Sequence, residues 1–492
     1  MKKRFFVVTL LVSMSIPAII RPSSSVYPTG TTIYKPEKCW NGYNIPSKNL
    51  TPSKAQLFDM NGNVVHEWKG IIGSPYKILP GGYIMGAVDA IGFDRTPLLQ
   101  LDWDGNIVWK FEKSDLVSYN GKEPEWRARQ HHDYQREGNP VGYYVPGMNP
   151  LVNKGNTLIN TFKNVDRPDI APTIICDTRI IDVTWEGDII WDWLLTDHWD
   201  ELGLSEAAKN AYYRFPGYNE ELGCAQKLFF NNINWLGPNR WYDAGDQRFH
   251  PENIIADSPL LNIIVIISRK TGEIVWRVGP EYTSTPALKK LGQMMYLHHA
   301  HIIPKGLPGA GNILVFDNGG QSGLGAPNPN SLTGVFNTAR HWSRIVEFNP
   351  ITLEIVWGYS AVDGGVRMPL VEGFGAYKSG GDHRFFSYNM GSAQRLPNGN
   401  TLITEGQYGR VFEVTPEGEI VWEFVHPEDG KVYRTYRIPY DWIPQLERPV
   451  ERAVIPPPNK EFRITPVGDD DRNSQQETEI HTGIYRARSK EE

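Results

Sequence analysis

Residues 409–424 read GRVFEVTPEGEIVWEF. Apolar residues alternate on either side of a Pro-Glu-Gly corner, the pattern of two strands joined by a tight turn. The same phrase recurs upstream: AQLFDMNGNVVHEW ending at Trp68, LLQLDWDGNIVWKF with Trp109, RIIDVTWEGDIIWDW with Trp191, NIIVIISRKTGEIVWRV with Trp276 and RIVEFNPITLEIVWGY with Trp357. Five of the six turns contain Gly, which supplies the positive φ that tight hairpins need. A second phrase sits ahead of these hairpins, as NGYNI at 41–45, LPGGYIM at 79–85, KGNTLIN at 154–160, GPNRWYD at 237–243, GAGNILVFD at 309–317 and LPNGNTLIT at 396–404. Each unit therefore offers about four strands. Trp68 and Trp109 lie 41 residues apart, the length of a bare four-stranded blade, and later spacings of 65 to 85 residues leave room for long insertions between strands. Six such units, none able to bury its own faces, predict an all-β, six-bladed β-propeller. An open solenoid or a pair of sandwiches fits regular four-strand units less well. The six Trp, expected at the end of each third strand, are assigned to packing between blades.

Composition agrees. Among 492 residues there are 16 Trp, 47 Gly and 37 Pro, a turn-rich β composition. A formal charge of −6, without a Lys/Arg stripe, gives no sign of a nucleic-acid partner. Cys39, Cys176 and Cys224 allow one internal disulfide and contain no C-x-x-C pair. MKKRFFVVTLLVSMSIPAII followed by RPSSS has the order of a secretory signal, with an uncleaved anchor as the alternative. The expected organisation is a signal peptide at 1–25, the propeller at 26–450 and a charged flexible tail at 451–492. No later run is long enough to span a bilayer. The mature protein is expected in the periplasm or secreted.

In a propeller the innermost strands converge at one mouth, so the 12 histidines are informative by position. His298, His299 and His301 lie in YLHHAHIIP, and His131 and His132 in RQHHDYQ. Asn232 and Asn234 take the matching place in the next unit, Arg344 opens a strand, and His383 precedes the last inner strand. Alternation along a strand lets at most two residues of H-H-A-H share one site, which weakens a metal reading. General acid–base or nucleophilic use of two or three histidines is expected instead.

KCWNGYNI, LFDMNGNVVHEW, HHDYQREGNPVGYYVPG, RFHPENII, HHAHIIPKGLPGAGNILVFDNGG, SRIVEF and QRLPNGNTLI together resemble the arylsulfotransferase family over most of residues 35–445. The resemblance implies an exported six-bladed propeller that moves a sulfuryl group from an aryl sulfate ester to a phenol through a sulfated histidine, without a nucleotide donor. It implies Arg344 as the sulfate-binding arginine and His299 or His298 as the histidine before the F-D-N-G strand. Asn232 stands where the family has another histidine. The nucleophile is expected to be His383 or His299, with His132 as a supporting acid–base, and Trp235 and Tyr296 could hold the phenyl ring. No cofactor or metal is expected; the partners are the sulfate donor and the phenol, and a homodimer is allowed. Alternatives are an ester or thioester hydrolase at the same mouth, a non-catalytic binding propeller and, more remotely, a quinone-dependent dehydrogenase.

Overall fold

The computed structural model describes residues 29–49, 54–88, 97–118, 123–220, 222–340, 342–360, 385–428 and 431–454. Six antiparallel sheets form the blades of a propeller. Their innermost strands are Lys431–Ile438, Gly73–Leu79, Gln130–Arg136, Asn232–Trp235, His298–Ile302 and Ser392–Arg395, for blades one to six. Each inner strand touches the next in this order, and the sixth returns to the first.

Both ends of the described chain enter the closure. Lys431–Ile438 supplies the inner strand of blade one, beside Tyr43–Asn49. Gly30–Tyr34 adds a fifth, outermost strand to blade six, paired with Ile420–Val425. The start of the expected tail is also held to the ring, because Val454 bridges Tyr34 and the Glu451 carboxylate accepts from the Tyr34 and Tyr440 hydroxyls. The rest of that segment and residues 1–28 lie outside the described residues.

The recurrent hairpins are the third and fourth strands of each blade, so the Trp residues sit on the fourth strand and not the third. Their function is a ring of hydrogen bonds. Each indole Nε1 donates to a carbonyl in the outer turn of the following blade: Trp68 to Asp102, Trp109 to Trp185, Trp193 to Gly272, Trp276 to Pro350, Trp357 to Pro416 and Trp422 to Met60. In blade three the donor is Trp193 rather than Trp191. A step of two residues keeps a strand side chain on the same face, so the contact survives the shift. The turn without Gly reaches the required conformation through Leu353, at φ 60°. That left-handed conformation costs a non-Gly residue on the order of 1 kcal/mol.

The long insertion between blades three and four carries the helix Glu206–Arg214, capped by Ser205, whose side chain accepts from the Ala208 N–H. It also carries Cys224, disulfide-bonded to Cys176 on the third strand of blade three, which leaves Cys39 as a free thiol. The bridged cysteines pack with Phe162, and Phe229 lies against the same cluster.

Candidate active site

The inner strands of blades three and five begin alike. Each has two left-handed residues three apart: Arg129 (φ 52°) and His132 (φ 57°), then Tyr296 (φ 54°) and His299 (φ 57°). Both strands lose register there, between Gln130 and Tyr134 and between His298 and His301. Such conformations persist only where neighbours hold them. In blade five the Ala300 N–H donates to Asp257 Oδ2 at 2.6 Å, and Asn232 Nδ2 donates to the Ala300 carbonyl at 2.7 Å. Asn231 Nδ2 similarly holds the Leu297 carbonyl at 3.0 Å. Blade four thus pins the histidine segment of blade five. In blade three, Asp133 accepts from its neighbour Tyr134 N–H and, across the interface, from Ile233 N–H.

Hydrogen bonds fix the tautomers of two imidazoles. His131 Nε2 faces the Thr161 carbonyl at 3.1 Å and must donate to it, so His131 Nδ1 accepts from His132 Nδ1–H at 2.8 Å. The lone pair of His132 is therefore on Nε2. His298 Nδ1 lies 3.1 Å from the Tyr296 carbonyl and 2.8 Å from Asn318 Oδ1. The orientation of that amide follows from its nitrogen, which donates to the carbonyls of Ser387 and Met390. His298 Nδ1 therefore carries the proton, and its lone pair is also on Nε2. The Tyr433 ring lies about equally far from both, with centroids 6.1 Å from His132 and 6.2 Å from His298. Phe162 and Phe229 stack on His131 and His132, linking the disulfide cluster to this pair.

Deeper in the channel, His299 and His301 lie side by side, with ring centroids 4.5 Å apart, being two residues apart and so on one face of the strand. His301 is satisfied at both nitrogens, donating to the His299 carbonyl and accepting from the Tyr143 hydroxyl. His299 Nε2 meets the Tyr436 hydroxyl at 3.2 Å, and its buried Nδ1 has no partner.

Between these layers lies a buried charge cluster. Asp133 pairs with Lys77 at 2.7 Å and with Arg434 at 3.0 Å, all three being at most 5% exposed. Two cations against one carboxylate leave an excess positive charge beside the histidines. Burial, together with Arg434 nearby, pushes Lys77 down to about 8. Burial also lowers His132 to about 3, with His298 and Arg434 adding to the effect, and lowers His298 and His301 to about 4. His131 and His299 are held well below the usual imidazole range for the same first reason. All five are neutral at pH 7.

This neutrality makes stability pH-dependent. Unfolded histidines take up protons near pH 6.5, whereas the folded ones resist down to about pH 4. Folded-state stability is therefore full above pH 6.5 and falls as pH drops toward 4, by roughly 1 kcal/mol per pH unit for each histidine. Four buried carboxyls oppose this, since burial raises Asp177 to about 7, Asp182 to about 6, Asp257 well above the usual range and Glu405 above its ordinary value. These five histidines, with His426 also lowered by burial to about 4, outweigh the four carboxyls, so the midpoint of thermal unfolding is expected to fall steadily from pH 6.5 to 4. A flat midpoint across that range would contradict the buried neutral cluster.

The sequence-predicted residues divide into groups. His132 and His298 are brought together, with His299 one layer below. Asn232 is close, but its amide is engaged with Ala300 and its oxygen with Asn234. Arg344 is at the same end of blade five, two strands out, where it binds Asp317 at 2.7 Å and the Gly292 carbonyl at 3.1 Å. Asp317 in turn accepts from Met295 N–H, so Arg344 supports the segment leading into the histidines. Trp235 ends its inner strand and lines a cavity at the opposite mouth. His383 lies outside the described residues. The residues missed are Arg434, Tyr433, Lys77 and Asn318. A buried Arg and two Tyr in KVYRTYRI were the available signal, but only if that segment was taken as an inner strand. Among the described residues no three His, Cys, Asp or Glu side chains are grouped to hold a metal ion.

The arylsulfotransferase (ASST) family model matches residues 83–427, running from the second strand of blade two into blade six and including both histidine strands. The chain belongs to the arylsulfotransferase family. No curated protein matches it. Solved structures of similar course include a protein of unknown function from Bacteroides caccae, with 12% identity, TM-score 0.40, and coverage of 81% of this chain and 99% of that one. A streptogramin B lyase has 11% identity, TM-score 0.36 and coverages of 85% and 89%. The Dos1 propeller has 8% identity, TM-score 0.33 and coverages of 82% and 73%. At these scores the architecture of this arylsulfotransferase-family chain rests on its own six sheets.

Proposed function

We propose that this propeller transfers a sulfuryl group from an aryl sulfate ester to a phenol, with His132 as nucleophile and His298 as base. His132 Nε2 attacks sulfur, the S–O bond to the aryl group breaks, and phenoxide leaves; the enzyme then carries an N-sulfonated imidazole. In the second half, His298 Nε2 removes the proton of the acceptor phenol as its oxygen attacks sulfur. The S–N bond breaks, His132 returns neutral, and the proton passes from His298 to the departed phenoxide or to solvent.

The observation that carries this reading is the pair of neutral imidazoles with both lone pairs on Nε2, set beside an excess positive charge. A neutral imidazole is nucleophilic, and a covalent intermediate divides one hard displacement into two easier ones. Arg434, only 1% exposed, acts through its field, favouring the arrival of a sulfate anion in a site of low dielectric. No nucleotide donor is required by this route. The basic-then-apolar N-terminal sequence and the Cys176–Cys224 disulfide support export to an oxidising compartment.

Incubating the purified protein with 4-nitrophenyl sulfate and no acceptor is expected to add the mass of one SO3 group, located on the peptide containing His132. A phenol should then discharge it. Absence of the adduct under rapid quench, with nitrophenol released only by water, would reassign the chemistry to hydrolysis.

A further inference from the structure

The inner strand of every blade starts at the histidine mouth. The connections from second to third strands, and from fourth strands to the next blade, therefore all lie on that face. Among the described residues the exposed Trp, Tyr and Phe side chains are Trp126, Tyr213, Phe215, Tyr218, Phe336 and Tyr388, and every one sits on such a connection. The opposite face bears none among the described residues. Single exposed apolar residues are ordinary, but aromatic ones gathered on one face mark an interaction surface.

The local folding turns these rings outward. Between blades two and three, the ribbon of Asp115–Val117 and Glu125–Arg127 sets Leu116 directly opposite Trp126. Such pairs share a face, and these two are 50% and 56% exposed. After blade three, Tyr213 and Phe215 lie at the end of the helix Glu206–Arg214. Its buried Ala211 packs with Val335, on the strand Val335–Thr338 of blade five, while the neighbouring Phe336 is exposed. Lys227 joins the two elements: its Nζ donates to the Phe215 carbonyl at 3.2 Å and lies 5.3 Å from the centre of the Phe336 ring. Lys431 Nζ is similarly 5.9 Å from the Tyr388 ring. Aromatic rings flanked by lysines, whose stems lie along apolar surface and whose heads reach water, suit the boundary of a bilayer.

The N-terminal sequence enters the propeller at this same face. Gly30 pairs with Val425, at the end of blade six where the inner strand begins with Ser392. The apolar-rich run at 5–20 ends ten residues earlier, a distance of at most ~35 Å along an extended chain. A tether through that run would hold the aromatic face, and not the opposite one, against a membrane.

We propose that the histidine face is a membrane-docking face, which seats its aromatic side chains and Leu116 among the headgroups and upper acyl chains of a phospholipid bilayer. The apolar area supplies the affinity, and the lysines keep their charge at the headgroups.

The test uses vesicles of phosphatidylcholine with brominated acyl chains, which quench indole emission at short range, and unbrominated phosphatidylcholine as the control. Residues 1–28 contain no Trp, so quenching reports on the propeller alone, and subtracting the emission of Trp126→Phe isolates Trp126. In the full chain, Trp126 emission is expected to shift to the blue on both vesicles and to be lost on the brominated ones. Phe215→Ser combined with Phe336→Ser changes two exposed side chains and should lower the docked fraction, at fixed lipid, by about tenfold, because two rings no longer enter the lipid. Failure of the chain to bind either vesicle would overturn the proposal. So would binding that leaves Trp126 emission unchanged, which would mean attachment through residues 1–28 alone. Quenching undiminished by the two serine substitutions would overturn it as well. A blue shift that grows with protein concentration in the absence of lipid would assign the face to a second copy of the chain instead. None of these outcomes bears on sulfuryl transfer, which is read separately from the adduct.

Discussion

His132→Ala is expected to reduce the turnover of 4-nitrophenyl sulfate by about a thousandfold or more, and to abolish the protein-bound adduct. The side chain is half-buried, so its removal should change stability far less than activity. Two companion variants separate nucleophile from support. His298→Ala should still form the adduct but discharge it slowly to phenols, because the group lost is the base of the second half-reaction. His131→Ala should keep a weaker adduct, because His131 orients His132 by accepting from its Nδ1–H and does not itself reach sulfur. A positioning role is distinguished by rescue: His131→Asn or His131→Gln, which retain an acceptor, should recover part of kcat. If His132→Ala stays active and the adduct maps to another histidine, the nucleophile has been misassigned.

The largest expected loss of stability belongs to Asp133→Ala. The carboxylate pairs with Lys77 and Arg434 and accepts from two backbone N–H groups, all in the ring's interior. Its removal strands two buried cations, for which breaking a buried ion pair costs about 3–5 kcal/mol. A typical domain has only ~5–15 kcal/mol in total, so urea unfolding should shift markedly or the variant should fail to fold. Lys77 can relieve part of the cost by losing its proton, since it already sits at about 8. Arg434 has no such route. Asp133→Ala combined with Lys77→Met should therefore recover part of the loss, because only one stranded cation remains. If Asp133→Ala unfolds at the same urea concentration as the parent chain, the charge cluster does not hold the blades together.

Much of this fold was legible because its signals are local. A Gly in the turn and a Trp four or six residues later can be read within one hairpin, and six copies establish the ring. Two details escaped. Leu353 adopts the turn conformation without Gly, and Trp193 replaces Trp191 as donor, because both faces and turns tolerate the exchange once neighbouring blades are in place. The site was legible in part for a related reason. Histidines are scarce and cluster at the starts of inner strands, so His132 and His298 could be named. Their division of roles from His299 depends on a left-handed backbone held by Asp257 and Asn232 from another blade. Arg434 was invisible because its strand joins blade one, whose other strands lie nearly four hundred residues earlier in the chain.

That last connection has a consequence for biosynthesis. Lys77 and Asp133 emerge early from the ribosome, whereas the strand bearing Tyr433 and Arg434 is among the last parts of the ring to be made. Until it arrives, blade one lacks its innermost strand and the histidines lack their principal cation. A chain lacking that strand would thus be both unsealed and without the Asp133–Arg434 pair, so quality control that recognises an open ring would also remove chains whose charge cluster is incomplete. Closure of the ring and assembly of the Lys77–Asp133–Arg434 cluster become one event.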